Sequence, residues 1–279
     1  MDEIPVMQKI EYTGTFRKAV QFSKDKELFL GTGNPNAKLL FVGKEAAIDS
    51  DKSQQQYEQE FKKNATDWEH NFKSETQFDA IDNWFIGNRL PLYNPLYPYK
   101  GQKNTIESRS ENGEIKRGHG GTSKTWYNYQ KIIDTVYSNS EPSDYINFHE
   151  YVFCSELNQV TANYSHQIPK HIREESIFKR RDLFQEQFFR DFPITIVAVG
   201  HYVRDFEIDL QDFFGLVYDA ETSRNYSEGL KNEYINVHYD TVDNPTKLLI
   251  HTNQLSMVSN ELVQRLGAIC KSFLLNGKL

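Results

Sequence analysis

The sequence predicts an α/β fold, a three-layer α/β/α sandwich around a central and mostly parallel four-stranded sheet. Four short aliphatic runs are spaced along the chain, and small or polar residues follow each of them. Segments with apolar residues at helical spacing lie between these runs. Because alternating buried strands and helices produce βαβ crossovers, we expect the strands to be parallel and covered on both faces.

The predicted strands are β-branched or aliphatic runs that are too short to form helices. They lie at residues 38–43, 151–154, 194–200 and 247–250. Residues 234–239 alternate polar and apolar side chains, a pattern typical of an edge or hairpin strand.

The predicted helices carry apolar residues three and four positions apart. They lie at residues 53–73, 123–137 and 174–192 and from about Ser259 onward, with a shorter acidic helix within 205–214. Residues 87–121 form a long polar insertion with glycine and proline, which we interpret as a lid or binding loop. Without a repeat or a linker, residues 1–279 are predicted to form a single domain.

Charge and composition limit the possible partners. The 279 residues include 32 Lys and Arg against 39 Asp and Glu, a formal net charge of −7. An acidic chain repels nucleic acid, so any DNA contact should use a local basic patch. The longest apolar runs are too short to span a bilayer, and the first residues do not resemble a signal peptide. We expect a soluble, cytoplasmic monomer without a membrane partner.

Several chemical classes lack their sequence signals. Residues 31–35 read Gly-Thr-Gly-Asn-Pro but precede the first predicted strand, whereas a dinucleotide-binding glycine loop follows one. The eight histidines show no metal-binding spacing, and no Gly-x-Ser-x-Gly elbow occurs. Cys154 and Cys270 are too few for a disulfide scaffold or a four-cysteine site, and we interpret them as buried thiols. We therefore predict neither a cofactor nor a metal.

Polar side chains follow all four predicted strands, at the edge where parallel sheets bind ligands. Glu45 follows the first strand and could orient a water and stabilise positive charge on a sugar, or instead cap a helix or pair with Lys44. His251 follows the fourth strand and could donate a hydrogen bond to a leaving anion, or cap the next helix. Glu45 and His251 are the predicted catalytic residues.

The other candidates flank these strand ends or lie near basic segments. Substrate-binding candidates are Gly43, Lys44, Ala46, Ser155, Asn158, Asn253 and Gln254, and nucleic-acid candidates are Lys124, Trp126 and Ser256. Ser256 could alternatively cap the final helix. Basic residues at 116–117, 124 and 170–181, interleaved with aromatics at 126–129, suit an extruded nucleotide or form a solvated helix surface.

Three motifs resemble those of the uracil-DNA glycosylase superfamily. Residues 33–47 read GNPNAKLLFVGKEAA, residues 153–158 read FCSELN, and residues 248–256 read LLIHTNQLS. The resemblance covers the sheet skeleton from about 33 to 275, although only the short motifs are specific. Because the iron–sulfur branch of the superfamily needs four cysteines, two cysteines indicate a cluster-free member.

The resemblance implies hydrolysis of the N-glycosidic bond of a damaged or deaminated base in DNA. Glu45 would occupy the water-positioning place, Ser155 or Asn158 would read the base edge, His251 would stabilise the departing base and Trp126 would stack on it. Ala46-Ala47 stand where the family has Pro-Gly or Pro-Tyr. Two alternatives are a non-catalytic nucleotide or nucleic-acid binding module and a small-metabolite-binding α/β protein.

Overall fold

The computed structural model describes residues 9–83, 93–106, 121–137, 143–162, 164–241 and 243–276. Of the predicted loop at 87–121, only residues 93–106 and 121 lie within these ranges. The basic pair at 116–117 lies outside the described residues.

The described part of the chain is α/β, with one mixed sheet of seven strands. Their spatial order is β1-β3-β2-β4-β7-β6-β5. The prediction of four mostly parallel strands is wrong, because the sheet has seven strands and three of its six pairings are antiparallel. The strands are β1 Thr32–Gly33, β2 Leu39–Gly43, β3 Val152–Glu156, β4 Ile194–Val197, β5 Val217–Asp219, β6 Ile235–Tyr239 and β7 Leu248–Thr252.

The four strands predicted from aliphatic runs form the parallel centre of the sheet, in the order β3-β2-β4-β7. Phe41 of β2 pairs with Cys154 of β3 on one side and with Ile196 of β4 on the other. The segment at 234–239 contains a strand as predicted. It pairs antiparallel with β7, the next strand along the chain, as in a hairpin, and it lies between β7 and β5 rather than at the edge.

The strand order reverses beside β2. The chain passes from β2 to β3 on one side and then returns across β2 to form β4 on the other. Ligands of open α/β sheets bind outside the carboxyl ends of the strands at such a reversal. The crevice between the ends of β2 and β4 is therefore where the topology places a site.

Helices follow most of the strands. A turn of π-helix, Glu58–Lys62, interrupts the helix predicted at 53–73, and residues 185–186 interrupt the one predicted at 174–192. The helices are α1 Gly14–Asp25, α2 Gln54–Tyr57, α3 Asn64–Lys73, α4 Lys124–Tyr137, α5 Lys170–Phe184, α6 Gln187–Arg190, α7 Tyr202–Asp205, α8 Leu210–Phe214, α9 Ala220–Ser227 and α10 Asn260–Asn276.

Helices pack on both faces of the sheet. Leu40 and Val42 of β2 join the apolar cluster that contains α1, α3 and α5, while Leu39 and Phe41 join the cluster that contains α4 and α10. We call these sides the α5 face and the α4 face. Side chains alternate along a strand, so residues at a strand end can be assigned to one face. None of the helices in the described ranges has the length and apolar character to cross a membrane.

Candidate functional site

The carboxylate of Glu45 lies at the crevice between the ends of β2 and β4. Its Oε2 accepts hydrogen bonds from the Tyr202 hydroxyl at 2.7 Å and from Asn158 Nδ2 at 3.4 Å. Its Oε1 accepts a hydrogen bond from the Ser165 hydroxyl. Segments that follow β2, β3 and β4 thus meet at one partly exposed carboxylate. Glu45 does not cap a helix, since α2 begins only at Gln54.

Asn158 is the member of the Ser155/Asn158 pair that contacts Glu45. Its side chain is buried, its Oδ1 accepts from Val160 N at 3.0 Å, and its backbone N–H donates to the Lys44 carbonyl at 2.7 Å. These two bonds fix the amide against the loop that carries Glu45.

Tyr202 connects Glu45 to a cation. Arg173 Nη1 lies 3.4 Å from the Tyr202 hydroxyl, and its guanidinium lies over the rings of Tyr202 and Phe206 at 5.7 and 5.3 Å. Burial and the Glu45 charge raise the pKa of Tyr202 to about 12. The phenol therefore stays protonated at neutral pH and donates to the carboxylate. We call Lys44, Glu45, Asn158, Ser165, Arg173 and Tyr202 the Glu45 cluster.

Ser155 belongs to a buried network around Arg180, on the α5 face. Arg180 is fully buried, and its Nη1 donates to the Phe29 carbonyl at 2.6 Å and to Gln159 Oε1 at 2.9 Å. Its Nη2 donates to the Ser155 hydroxyl at 2.9 Å, which in turn donates to the Leu30 carbonyl at 2.8 Å. Burial lowers the pKa of Arg180 to about 9, so the side chain stays charged at neutral pH.

Glu156 places a second carboxyl group beside the end of β2. It pairs in register with Gly43, and a β-carbon at Gly43 would overlap the Glu156 carboxylate. Its Oε2 is buried and has no hydrogen-bond partner among the described residues. Burial raises the pKa of Glu156 to about 8, and the Glu45 charge adds to this rise while Arg180 opposes it. Gly43 thus makes room for a carboxyl group that favours its protonated form.

His251 lies inside β7 with both ring nitrogens in contact with neighbours. Its Nε2 is 2.9 Å from the Gly200 carbonyl and 3.1 Å from the Tyr234 hydroxyl, and its Nδ1 is 3.3 Å from Asn236 Nδ2. Because a carbonyl only accepts, Nε2 carries the proton and Nδ1 accepts from Asn236. Burial lowers the pKa of His251 to about 4, so the ring is neutral at pH 7. We call Gly200, Tyr234, Asn236 and His251 the His251 cluster.

A cavity of about 370 Å³ lies beside the His251 cluster, between the sheet and the α7–α8 segment. His251, Asn236 and His238 line it from the sheet, and Val203 and Arg204 line it from α7. Helix α7 therefore contacts both regions, because its first residue donates to Glu45 and its next two residues line the cavity beside the His251 cluster. A wider groove of about 580 Å³ runs along α2 and α3 and contains none of the predicted site residues.

The other predicted residues near β7 have local structural contacts. Asn253 Oδ1 accepts from Tyr234 N at 3.0 Å, and Gln254 is exposed. Ser256 does not cap the final helix, because the Ser259 hydroxyl accepts from the N–H of Leu262 at 3.1 Å.

The predicted nucleic-acid residues of α4 differ from each other in exposure. Trp126 is half-buried and packs against Tyr99, Phe148 and His149 at centroid distances of 5.7, 5.5 and 4.8 Å. Lys124 is exposed at the start of α4.

Ala46, a predicted substrate-binding residue, follows Glu45 in the sequence and is partly exposed.

Three residues of the Glu45 cluster were not among the predicted site residues, namely Ser165, Arg173 and Tyr202. Tyr202 lies two residues after the glycine that ends the third predicted strand, so its position was a usable signal. Arg173 lies within the basic stretch 170–181. Ser165 has no comparable sequence signal, because it reaches Glu45 only through the path of the loop after β3.

In the described residues, no group of three or more His, Cys, Asp or Glu side chains is placed to hold a metal ion. Comparisons with protein-family models, curated proteins and solved structures find no match to this chain.

Proposed function

We propose that this chain hydrolyses the N-glycosidic bond of a damaged or deaminated base in DNA, as its resemblance to the uracil-DNA glycosylase superfamily implies. The observation that carries the proposal is the Glu45 carboxylate, held by three donors at the crevice where the strand order reverses. Asn158, the residue suited to reading a base edge, contacts that carboxylate.

Glu45 has the geometry of a water-orienting group. A carboxylate has about four lone-pair positions, two on each oxygen. Oε2 accepts from Tyr202 and Asn158, whereas Oε1 accepts from Ser165 and from no other described residue. A lone pair of Oε1 is thus available to orient a water, while the negative charge stabilises the cationic sugar that forms as the bond to the base breaks.

His251 would act on the departing base as a neutral hydrogen-bond donor. The Nε2 proton bonds to the Gly200 carbonyl in the free chain. In the proposed reaction that proton turns to the base oxygen on which negative charge develops. The low pKa of the ring supports this role, because an imidazole that is already neutral can stabilise an anion without transferring its proton.

The charge around the crevice supports an anionic polymer as substrate. Lys44 and Arg173 lie beside Glu45 on a chain with a net charge of −7, so the cations are local as the sequence requires. Phosphate contacts by these side chains would give a salt-dependent affinity. Lys124 and Trp126 would contact the DNA further along α4.

A base-release assay on oligonucleotides that contain uracil, hypoxanthine or xanthine tests the proposal. Wild-type protein should release one of these bases, and Glu45→Gln should lower the rate by about 100-fold or more. Glu221→Gln, an exposed glutamate at the start of α9, is the matched control and should retain the wild-type rate. Equal rates for Glu45→Gln and wild type would refute the assigned role.

A non-catalytic nucleotide or nucleic-acid binding module is the second candidate, and one observation favours it. Both Glu45 oxygens and the His251 Nε2 are hydrogen-bonded to protein groups, as in a preorganised binding site. Salt-sensitive DNA binding without base release from any of the three substrates would select this candidate.

A further inference from the structure

The proposed hydrolysis gives the Lys44 amino group no role beyond a phosphate contact. The side chain is half-buried, and its Nζ lies 4.7 Å from the centroid of the Tyr202 ring. No hydrogen bond or ion pair joins this nitrogen to a described residue. Its Cε would lie 3.7 Å from a β-carbon at Gly200, so the side chain runs along the segment between the Glu45 and His251 clusters.

The surroundings of Lys44 make its ammonium group easier to deprotonate than that of an exposed lysine. Burial and the nearby Arg173 charge lower its pKa, and Glu45 and Asp205 oppose the change without cancelling it. A lysine that is desolvated and placed beside another cation is a stronger nucleophile toward carbonyl groups than an exposed one. The amine and the Glu45 carboxylate also converge on one residue, because Lys44 lies over the Tyr202 ring and Glu45 accepts from its hydroxyl.

We propose that Lys44 forms an imine with the aldehyde of an abasic deoxyribose and gives the chain a second activity, strand cleavage at abasic sites. The proposal rests on the proposed function for its DNA substrate. It does not depend on base release, since an abasic site can be supplied ready-made.

The reaction balances without an oxidant or a further reactant. The Lys44 nitrogen adds to C1′ of the ring-opened sugar, and the carbonyl oxygen leaves as water. Glu45 removes a proton from C2′, the electron pair forms the C2′–C3′ double bond, and the C3′–O bond breaks with the phosphate as leaving group. Water then hydrolyses the imine, which returns the amine and an unsaturated aldehyde, and Glu45 passes its proton to solvent.

Reductive trapping on a duplex with one abasic site tests the assignment. With sodium cyanoborohydride, wild-type protein should form a covalent adduct with DNA that peptide mass mapping places on Lys44. Lys44→Arg keeps the charge but cannot form an imine, and we expect its adduct yield to fall by more than tenfold. Lys73→Arg, a surface lysine of α3 that pairs with Glu69, should trap as the wild type does. A duplex with a tetrahydrofuran site, which has no aldehyde, should give no adduct.

A second measurement examines the amine without DNA. Reductive methylation with formaldehyde and cyanoborohydride, followed across pH by mass spectrometry, should reach half its maximal rate at a lower pH for Lys44 than for the exposed lysines. A Lys44 midpoint equal to theirs would overturn the proposal, as would an adduct on another lysine or no adduct with wild type. Circular dichroism and a urea midpoint confirm that Lys44→Arg is folded.

The two proposals fail separately. Base release without trapping overturns the role of Lys44 alone. Trapping and cleavage of abasic DNA without base release overturn the glycosylase proposal alone.

Discussion

The Glu45 and His251 clusters lie at the same end of the sheet, with Gly200 of the second beside Lys44 of the first, but they differ in how they are built. Glu45 stands in a loop, is partly exposed, and receives donors from the segments that follow β3 and β4. His251 stands inside a strand, is 6% exposed, and is held by β6 and the Gly200 carbonyl. The first cluster is charged and the second is neutral.

The difference follows from the strand directions on each side of the point where the strand order reverses. Parallel strands are joined by long crossovers, so the ends of β2, β3 and β4 each lead into a loop that can carry a charge to solvent. Antiparallel β6 runs alongside β7 and provides Asn236 directly opposite His251. A charge there would be buried, and the ring responds with a pKa of about 4. One end of the sheet thus offers an ionic site and a neutral hydrogen-bond donor side by side.

The largest expected effect comes from Arg180, the buried cation on the α5 face. Arg180→Met should lower the free energy of unfolding by about 3–5 kcal/mol, because the acceptors on Phe29, Gln159 and Ser155 would lose their donor. Urea denaturation at pH 7 measures this loss. Arg181→Met, at the exposed neighbouring position, should change stability by less than about 0.5 kcal/mol. Similar losses for both variants would mean that the buried network is not specific to Arg180.

A smaller effect, on how the free energy of unfolding depends on pH, should distinguish the His251 cluster from the Glu45 cluster. His251 stays neutral in the folded chain down to about pH 4, whereas an ordinary histidine protonates near 6.5. The unfolded chain therefore binds more protons in this window, and stability falls as the pH falls from 6.5 toward 4. His251→Gln should remove about 2 kcal/mol of the stability difference between pH 7 and pH 4.5.

Urea unfolding at the two pH values gives this difference directly. His166→Gln is the control, because that exposed ring is hydrated in both states. If His251→Gln kept the full wild-type pH dependence, the ring would be protonated in the folded chain and the contrast between the clusters would disappear.

The smallest expected effect concerns the Tyr202 hydroxyl, which donates to Glu45 and accepts from Arg173. Tyr202→Phe removes the 2.7 Å hydrogen bond to Glu45 and should cost about 1 kcal/mol, since the carboxylate is partly exposed and water replaces the phenol. Thermal denaturation of this variant is compared with that of Tyr218→Phe, where an exposed tyrosine should change little. A stabilised Tyr202→Phe variant would show that the phenol is strained against the carboxylate.

The centre of the sheet could be predicted from sequence because buried parallel strands are continuous apolar runs. The edges could not, since β1 and β5 have only two and three residues. Helix α1 was not predicted, although Thr13 is an N-cap and Phe16, Ala19 and Val20 lie at helical spacing and are buried.

The candidate site was predictable where it follows strand ends. The positions of Glu45 and Asn158 could be read from the apolar runs before them. The buried role of Arg180 was concealed by its charged neighbours at 179 and 181, although it lies at helical spacing between Ile177 and Phe184, which are both buried. The contact from Ser165 depends on a tertiary loop path, which local sequence does not encode.

The pairing of β2 with β3 also affects how the chain folds. Asn158 and Glu45 are 113 residues apart in sequence, yet their strands are direct neighbours at the centre of the sheet. Closing so long a loop costs entropy before any contact compensates for it, and folding slows as the mean sequence separation of contacts grows. The carboxylate and its amide partner should therefore meet late in folding, so a partly folded or truncated chain would retain helices without a working crevice.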